Sequence, residues 1–344
     1  MVRFTHIILT TALLAVSLPT CGRTFGKLTH FVDSMLTARY QRADIDTNYI
    51  VRPQTKWTLV GRLNLSGAEL QSKGLADGRH FSSEMKADMK TSLSIGVSYL
   101  GLSLNLSFNP VKLMGKYHNY ELNFRSYGKR LGFDIAYHDA RNFKGWYEME
   151  VAQPGNKASE SMMERTSLPN DLVRLRTLNA NGYYIFNHRR FSYPAAFAHS
   201  YIQRRSAGSF MLAVSGQGQY SETQMEKLHE QGQLMKLKMT NIGVGAGYGY
   251  NYVPATGWLL HISALPTFIV YSNTSLTMGD TEIPLNYHFP EVIITGRGAV
   301  VKQIGRNKFA GLSMVFNFTN IGNEEKLAIH HMKWLDRMYF GIRL

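Results

Sequence analysis

The residues best suited to catalysis are histidines, and one of them lies next to a serine. His199 and Ser200 are adjacent in "AHSY", but neighbouring residues of a strand point to opposite faces, so the imidazole cannot activate that hydroxyl. No GxSxG nucleophile motif occurs in the sequence. His330 and His331 diverge for the same reason, and no cysteine or paired carboxylate accompanies them as further metal ligands. The sequence therefore predicts no catalytic residue, no metal site and no cofactor site.

A second set of chemically capable residues is charged and falls on the inward positions of predicted strands. Charges enclosed by protein must be hydrated or paired, because an isolated buried charge is very costly. If water fills the interior, the arginine excess predicts a narrow, anion-favouring pore. If the charges pair across the interior, they predict a closed scaffold, and the sequence leaves both possibilities open. The candidate interior-lining residues are Arg62, Glu121, Arg125, Asp134, Glu291, Arg297, Arg337 and Arg343.

The third set lies in "NHRRFSYPAAFAHSYIQRRSA", residues 187–207, where two arginine pairs flank aromatic residues. This insertion is too long for a tight turn between strands. The strands described below predict a β-barrel, and the insertion has two interpretations. It is a plug that obstructs this barrel or binds an anionic partner, or it is a folded turn whose aromatic side chains pack on the floor of the barrel. The residues concerned are Arg189, Arg190, Phe191, Tyr193, Tyr201, Arg204 and Arg205.

The elements that must position these residues are β-strands. In "NIGVGAGYGYNYVP", residues 241–254, apolar and aromatic residues alternate with glycine and asparagine. A period of two places the two sets on opposite faces of one strand. Aromatic residues outward and small or polar residues inward are typical of a transmembrane β-barrel. The bare glycine row, which includes Gly245 and Gly247, is expected to leave room for the 187–207 insertion.

The same alternation recurs along the chain and predicts an all-β fold, a transmembrane antiparallel β-barrel of about twelve strands over residues 56–344. The chain contains no apolar run of about eighteen residues beyond its first twenty or so, which excludes transmembrane helices. Tight turns alternate with longer connections, as in barrels whose long loops face outward. The connections predicted as long loops are 67–84, 110–117, 141–171, 221–234, 272–286 and 321–329.

The amino terminus has the features of an export signal. Arg3 precedes the apolar stretch of residues 7–18, and small or polar residues follow. We therefore expect a cleaved signal peptide at 1–26 and a periplasmic extension at 27–55 that contains a short amphipathic helix. Cys21, the single cysteine of the chain, is expected to leave with the signal peptide, so no disulfide is predicted.

Three stretches carry a resemblance to a known family: "DTNYIVRPQTKWTLVGRLN", "YLGLSLNLSFNP" and "FNHRRFSYPAAFAHSYIQRRSAGSF". From about Asp46 to the carboxyl terminus, the chain resembles the domain of unknown function 4421, a family of exported Bacteroidota proteins regarded as outer-membrane barrels. The resemblance implies the fold and the location, and it supplies no catalytic residues.

Together these features predict a protein of the bacterial outer membrane. The first expected role is a narrow passive pore for small, anionic solutes; the alternatives are a closed structural or adhesive barrel and a lipid-modifying enzyme. The expected partners are membrane lipids, lipopolysaccharide phosphates and the barrel-assembly machinery, and the soluble partner is unknown. The net charge is +14 and the isoelectric point is about 9.7, yet export removes the chain from nucleic acid.

Overall fold

The computed structural model describes residues 34–35, 37–38 and 44–344, apart from 77–78, 88, 101, 109–119, 142, 153–160, 169–171, 224–234, 279–280, 286–289 and 324–326. The chain divides into two compact units, Met1–Asp44 and Ile45–Leu344. The first unit lies almost wholly outside the described residues. The signal peptide at 1–26, the amino-terminal helix and the removal of Cys21 therefore stay predictions.

The second unit consists almost entirely of antiparallel β-strands. Its described elements, in chain order, are β1 (Ile50–Val51), β2 (Trp57–Ala76), β3 (Arg79–Ala87), β4 (Lys90–Tyr99), β5 (Leu102–Phe108), β6 (Tyr120–Tyr127), β7 (Leu131–Ala140), β8 (Phe143–Ala152), β9 (Ser161–Leu168), β10 (Val173–Ile185), α1 (Tyr193–Phe197), β11 (Ile202–Gln203), β12 (Ala207–Thr223), β13 (Met235–Tyr252), β14 (Trp258–Met278), β15 (Thr281–Leu285), β16 (Val292–Ile304), β17 (Lys308–Asn323) and β18 (Leu327–Arg343). Sixteen of these strands belong to one sheet, and β1 pairs only with β11.

Twelve strands form a series in which each strand pairs antiparallel with the next. In order they are β2, β4, β5, β6, β7, β10, β12, β13, β14, β16, β17 and β18. The last of these strands, β18, also pairs with β2 along most of its length, from Leu327↔Gly74 to Arg343↔Thr58. Within the described residues, these twelve strands therefore follow a closed path of pairings, called here the ring. Each strand of the ring thus has an antiparallel partner on both sides, which satisfies most of its backbone hydrogen bonds.

The two faces of the ring differ sharply, as the period of two predicts. In β4 the residues from Lys90 to Ser98 alternate without exception between buried and exposed. In β13 the exposed positions hold Ile242, Val244 and the tyrosines, whereas Asn241 and Asn251 are fully buried. Large apolar side chains thus cover the outer face of the ring, and polar or small side chains line its inner face.

Three predicted loops contain strands instead. β2 continues to Ala76 and pairs there with β3, β8 pairs with β3, and β9 pairs with β8. The predictions of long loops at 67–84 and 141–171 were therefore wrong where these strands lie, and β15 likewise occupies part of 272–286. The strands β3, β8 and β9 are called here the extension sheet. In β3 and β8, apolar residues such as Phe81, Met85, Tyr147 and Met149 alternate with charged residues, but these apolar rows are short and are interrupted by Ser83 and Gly145. They therefore give a weaker strand signal in the sequence than the ring strands do.

The tight turns between β4 and β5, β6 and β7, β13 and β14, and β16 and β17 lie at one end of the ring, called here the turn end. The connection from β10 to β12 lies at the same end, since Ile185 pairs with Met211 and Tyr184 pairs with Leu131. The extension sheet continues from the opposite end. None of the helices among the described residues is long and apolar enough to cross a membrane.

Candidate functional site

Residues 186–206, called here the interior segment, connect β10 to β12 and fold into the ring. Its helix α1 begins after Ser192, whose hydroxyl accepts a hydrogen bond from the Ala195 backbone nitrogen at 3.2 Å. Pro194 lies in the first turn, where its fixed φ angle favours a helix. Phe191 and Tyr193 are 0% exposed, so this segment forms a core inside the ring.

The helix α1 crosses the interior of the ring. It contacts β6, the fourth strand of the ring, and also β14 and β16, the ninth and tenth strands. Strands five or six positions apart in a closed path of twelve face each other. The short helix therefore packs against opposite walls at once.

An aromatic cluster surrounds Tyr193 at the centre of this packing. The centroid of its ring lies 4.9 Å from those of Tyr183 and Phe197 and 5.1 Å from that of His261. Phe191 lies 5.9 Å from His261 by the same measure. Because these aromatic rings come from β10, β14 and the interior segment, their burial joins the segment to two walls of the ring.

Asn251 of β13 supplies the main polar anchor of the segment. Its side-chain amide donates hydrogen bonds to the Ser192 carbonyl at 2.9 Å and to Gln203 Oε1 at 3.0 Å. Asn251 Oδ1 lies 2.7 Å from His261 Nδ1. Asn251 is 0% exposed, so its loss would leave several buried polar atoms without partners.

The predicted interior residues Arg297 and Asp134 form an ion pair across the ring. Arg297 Nη2 lies 2.7 Å from Asp134 Oδ2, and Arg297 Nη1 donates to the Tyr193 hydroxyl at 3.0 Å. Asn181 donates to the other oxygen of Asp134 at 3.1 Å. Arg297 belongs to β16 and Asp134 to β7, the tenth and fifth strands of the ring. One guanidinium group thus joins opposite walls to the helix between them.

Arg343, at the end of β18, holds the residues that follow α1 in the interior segment. Its Nε donates to the carbonyl of His199 at 2.8 Å, and its Nη1 donates to Gln303 Oε1 at 2.8 Å. The guanidinium group also lies 4.7 Å from the centre of the Phe309 ring. Arg343 is 1% exposed, so it serves here as a structural cation and not as a hydrated surface charge.

His199 is packed away from solvent and is not placed for catalysis. Its ring centroid lies 4.2 Å from that of Phe309 and 4.8 Å from that of Tyr339, and its φ angle is 58°. Burial, together with the guanidinium groups of Arg62 and Arg343, holds the pKa of His199 well below its ordinary value. The imidazole is 1% exposed, so no substrate reaches it in this conformation.

The remaining candidate interior residues are not brought to this site as one group. Arg337 is buried and Arg62 is half-buried on the inner face of the ring. Glu291 lies at the opposite end, where its carboxylate accepts a hydrogen bond from the Gly322 nitrogen at 2.9 Å. The side chains of Glu121 and Arg125 lie outside the described residues.

The arginines and the aromatic residues of the interior segment differ in burial. Tyr201 is buried, whereas the four arginines are exposed at the turn end: Arg189, Arg190, Arg204 and Arg205. Arg190 Nε lies 3.3 Å from Asp46 Oδ2, and its guanidinium group lies 5.1 Å from the centre of the Tyr49 ring. The preceding linker is bound to the segment as well, through the pairing of β1 with β11.

Among the glycines of β13, Gly249 is the one that leaves space for the interior segment. A Cβ atom there would lie 3.0 Å from both Phe191 Cζ and Met211 Cε. At Gly245 and Gly247, a Cβ atom would instead collide with backbone carbonyls of β14, those of Pro266 and Ala264. The expected role of these two glycines was therefore wrong, because they allow close approach of the neighbouring strand.

Sequence reasoning missed Asn251 and Gln203 as anchors, although both are polar residues at inward or buried positions. The alternation of β13 places Asn251 on the inner face and so gives a signal for it. Gln203 has no comparable signal, because its role depends on the fold of the segment. No group of three or more His, Cys, Asp or Glu side chains suited to a metal ion occurs in the part of the chain that the structure describes.

Comparison with solved structures finds outer-membrane proteins. The outer membrane protease OmpT from Escherichia coli is 8% identical, over 85% of this chain and 97% of that chain, with a TM-score of 0.45. An outer membrane channel from Pseudomonas putida F1 is 11% identical over 85% and 98%, with a TM-score of 0.25. The β domain of the Bordetella autotransporter BrkA is 8% identical over 82% and 99%, with a TM-score of 0.29. At these TM-scores the likeness carries no argument about activity.

No protein of curated function matches the chain. The family defined by the domain of unknown function DUF4421 matches residues 44–343, which is most of the chain. The chain therefore belongs to the DUF4421 family.

Proposed function

We propose that the ring is a twelve-stranded β-barrel of the bacterial outer membrane. Two observations support this: the pairing of β18 with β2 closes the path of strands, and large apolar side chains are exposed all round the outer face. A soluble monomer rarely exposes so much contiguous apolar surface, whereas lipid covers it favourably. Closure also leaves no unpaired strand edge within the membrane.

In this proposal the turn end faces the periplasm and the extension sheet faces the exterior. Short periplasmic turns and longer outer connections are usual for such barrels. Trp57, Tyr252 and Trp258 are exposed near the turn end, where an aromatic girdle is expected at the inner interface. The signal peptide at 1–26, the periplasmic extension at 27–55 and the barrel at 56–344 form the proposed domain order.

We further propose that the barrel is closed and serves as a scaffold that presents its two ends. The observation that carries this proposal is the ion pair between Arg297 and Asp134, which joins opposite walls and the Tyr193 hydroxyl. Charges paired in this way, with aromatic rings packed around them, do not line a water-filled pore. The extension sheet then projects beyond the membrane, where residues 162–167 of β9 are exposed.

Single-channel conductance in a planar bilayer tests the closed barrel against the narrow pore. The refolded mature protein is expected to be silent, whereas a variant in which a short Gly/Ser linker replaces residues 187–205 is expected to conduct. Arg306→Gln, in the tight turn between β16 and β17, is the control and should remain silent. Heat-modifiable migration on gels shows that each variant is folded.

Steady conductance steps with anion selectivity, recorded from the folded wild-type protein, would overturn the closed barrel and favour the pore. Silence of the linker variant, once folded and inserted, would contradict the interior segment as what blocks the barrel and would leave the ion pair between Arg297 and Asp134 as the closing contact.

A further inference from the structure

Four arginines at the turn end form a surface that the closed interior does not use. Arg189 and Arg190 lie where the interior segment leaves β10, and Arg204 and Arg205 lie just before it enters β12. All four are exposed. They are called here the arginine cluster.

A single buried side chain holds the two halves of this cluster together. Gln203 Nε2 donates hydrogen bonds to the carbonyls of Arg190 and Arg205, at 2.6 and 2.9 Å. Gln203 Oε1 accepts from the Ser192 nitrogen at 2.9 Å and from Asn251 at 3.0 Å. Because Gln203 is 5% exposed, these bonds are shielded from water and fix the two backbone stretches side by side.

The linker before the barrel fixes the main chain at the other two arginines, Arg204 and Arg189. The Arg204 nitrogen donates to the Tyr49 carbonyl at 2.7 Å, and the Asp46 nitrogen donates to the Arg189 carbonyl at 2.9 Å. Each arginine of the cluster is therefore hydrogen-bonded through its main chain. A ligand that binds the exposed guanidinium groups does not have to order a loop, which lowers the entropic cost of binding.

The cluster already binds a carboxylate of its own chain. Asp46 Oδ2 lies 3.3 Å from Arg190 Nε, with the Tyr49 ring on the same guanidinium group. All four residues are arginine, and the planar guanidinium group matches a carboxylate with two parallel hydrogen bonds, which lysine cannot do. Further cations at the turn end raise the local positive potential: Lys56, Arg130, Arg306 and Lys308 are also exposed there.

We infer that the arginine cluster docks an acidic polypeptide segment of a periplasmic partner. The interior segment lies inside the ring, so the cluster is set back from the surrounding lipid, and an extended acidic chain can reach it from the aqueous side. The inference that the partner is periplasmic rests on the proposed orientation of the barrel. The binding surface itself depends only on the contacts of Gln203, Tyr49 and Asp46.

Fluorescence anisotropy of a labelled oligoglutamate peptide, added to the mature protein in phosphatidylcholine nanodiscs, tests this inference. In Arg204→Gln/Arg205→Gln, we expect affinity to fall about tenfold or more, which corresponds to about 1.4 kcal/mol. The matched control is Arg306→Gln/Lys308→Gln, which removes two cations from the same end outside the cluster. We expect the control to weaken binding by less than about threefold, through the long-range potential alone.

Equal weakening by the two variants would overturn the inference, since binding would then reflect general positive charge. Absence of binding to the wild-type protein would overturn it too. If the wild-type protein binds the peptide in phosphatidylcholine nanodiscs but not in nanodiscs that contain phosphatidylglycerol, the cluster is assigned to lipid headgroups instead. Conductance of each variant is measured separately, so an open barrel that still binds the peptide would refute the closed scaffold alone.

Discussion

The ion pair between Asp134 and Arg297 gives the sharpest test of whether the two sides of the ring are joined through its interior. In Asp134→Ala, Arg297 keeps its hydrogen bond to Tyr193 but loses its carboxylate. The Arg297 side chain is only 4% exposed, so little water reaches the unpaired charge. Removing one partner of such a pair costs about 3–5 kcal/mol, and we expect the free energy of unfolding to fall by that amount.

A double-mutant cycle separates the pair from the rest of the site. Arg297→Met should also be costly, but the double variant Asp134→Ala/Arg297→Met leaves no unpaired charge and keeps an apolar side chain of similar length. Its cost should be smaller than the sum of the single costs by about 2–3 kcal/mol. Denaturant unfolding of the protein in phospholipid vesicles, followed by tryptophan fluorescence, measures each free energy.

The exposed pair formed by Asp46 and Arg190 is the matched control, with side chains 23% and 57% exposed. A surface pair contributes about 0–1 kcal/mol, so its coupling energy should be small. If the costs of the Asp134 and Arg297 substitutions are additive, or if their coupling energy is no larger than that of the control pair, the ion pair is refuted as a source of stability.

Three further predictions follow from the packing of the interior. Gly249→Leu should lower the free energy of unfolding by about 1–3 kcal/mol through overpacking against Phe191, whereas Gly216→Leu, with its nearest atom 3.9 Å away, should change it little; the same unfolding assay measures both. Burial holds the pKa of His199 well below its ordinary value of 6.5, so the contribution of this residue to stability is complete above pH 6.5 and is lost progressively as the pH falls below it; the difference between the free energies of unfolding at pH 7 and pH 5 should therefore be smaller in His199→Gln. Finally, membrane fractionation should recover the protein in the outer membrane and in heat-modifiable form, and recovery in the soluble periplasm would contradict the barrel.

The faces of the ring strands were predictable because apolar and polar residues alternate along them. The interior position of Arg297 and Asp134 follows from the same alternation. Their pairing does not, because the two residues are 163 positions apart and meet only because the ring brings β7 and β16 face to face across four intervening strands. Local periodicity specifies a face and carries no information about the residue opposite.

Other features were missed or only partly predicted. The extension sheet was predicted as loops, although Phe81 and Met85 of β3 and Tyr147 and Met149 of β8 alternate with charged residues, because these apolar rows are short and interrupted. The interior segment was identified as unusual by its length and its arginine pairs, yet the roles of Gln203 and Asn251 depend on contacts between distant parts of the chain. Gly249 differs from Gly245 and Gly247 only in what lies beside it, which the sequence does not record.

The seam between β2 and β18 has a consequence for biogenesis. The interior segment emerges between the sixth and seventh strands, halfway round from that seam, and it is attached to the wall at both ends. Pairing across the seam links Thr58 to Arg343, and Arg343 also holds the carbonyl of His199. The strand β18 thus completes the ring and holds the interior segment in the same step. A chain that lacks β18 therefore lacks both the pairing that closes the ring and the contact of Arg343 with the interior segment. Its sheet is left with unpaired edges, which expose it to aggregation and quality control.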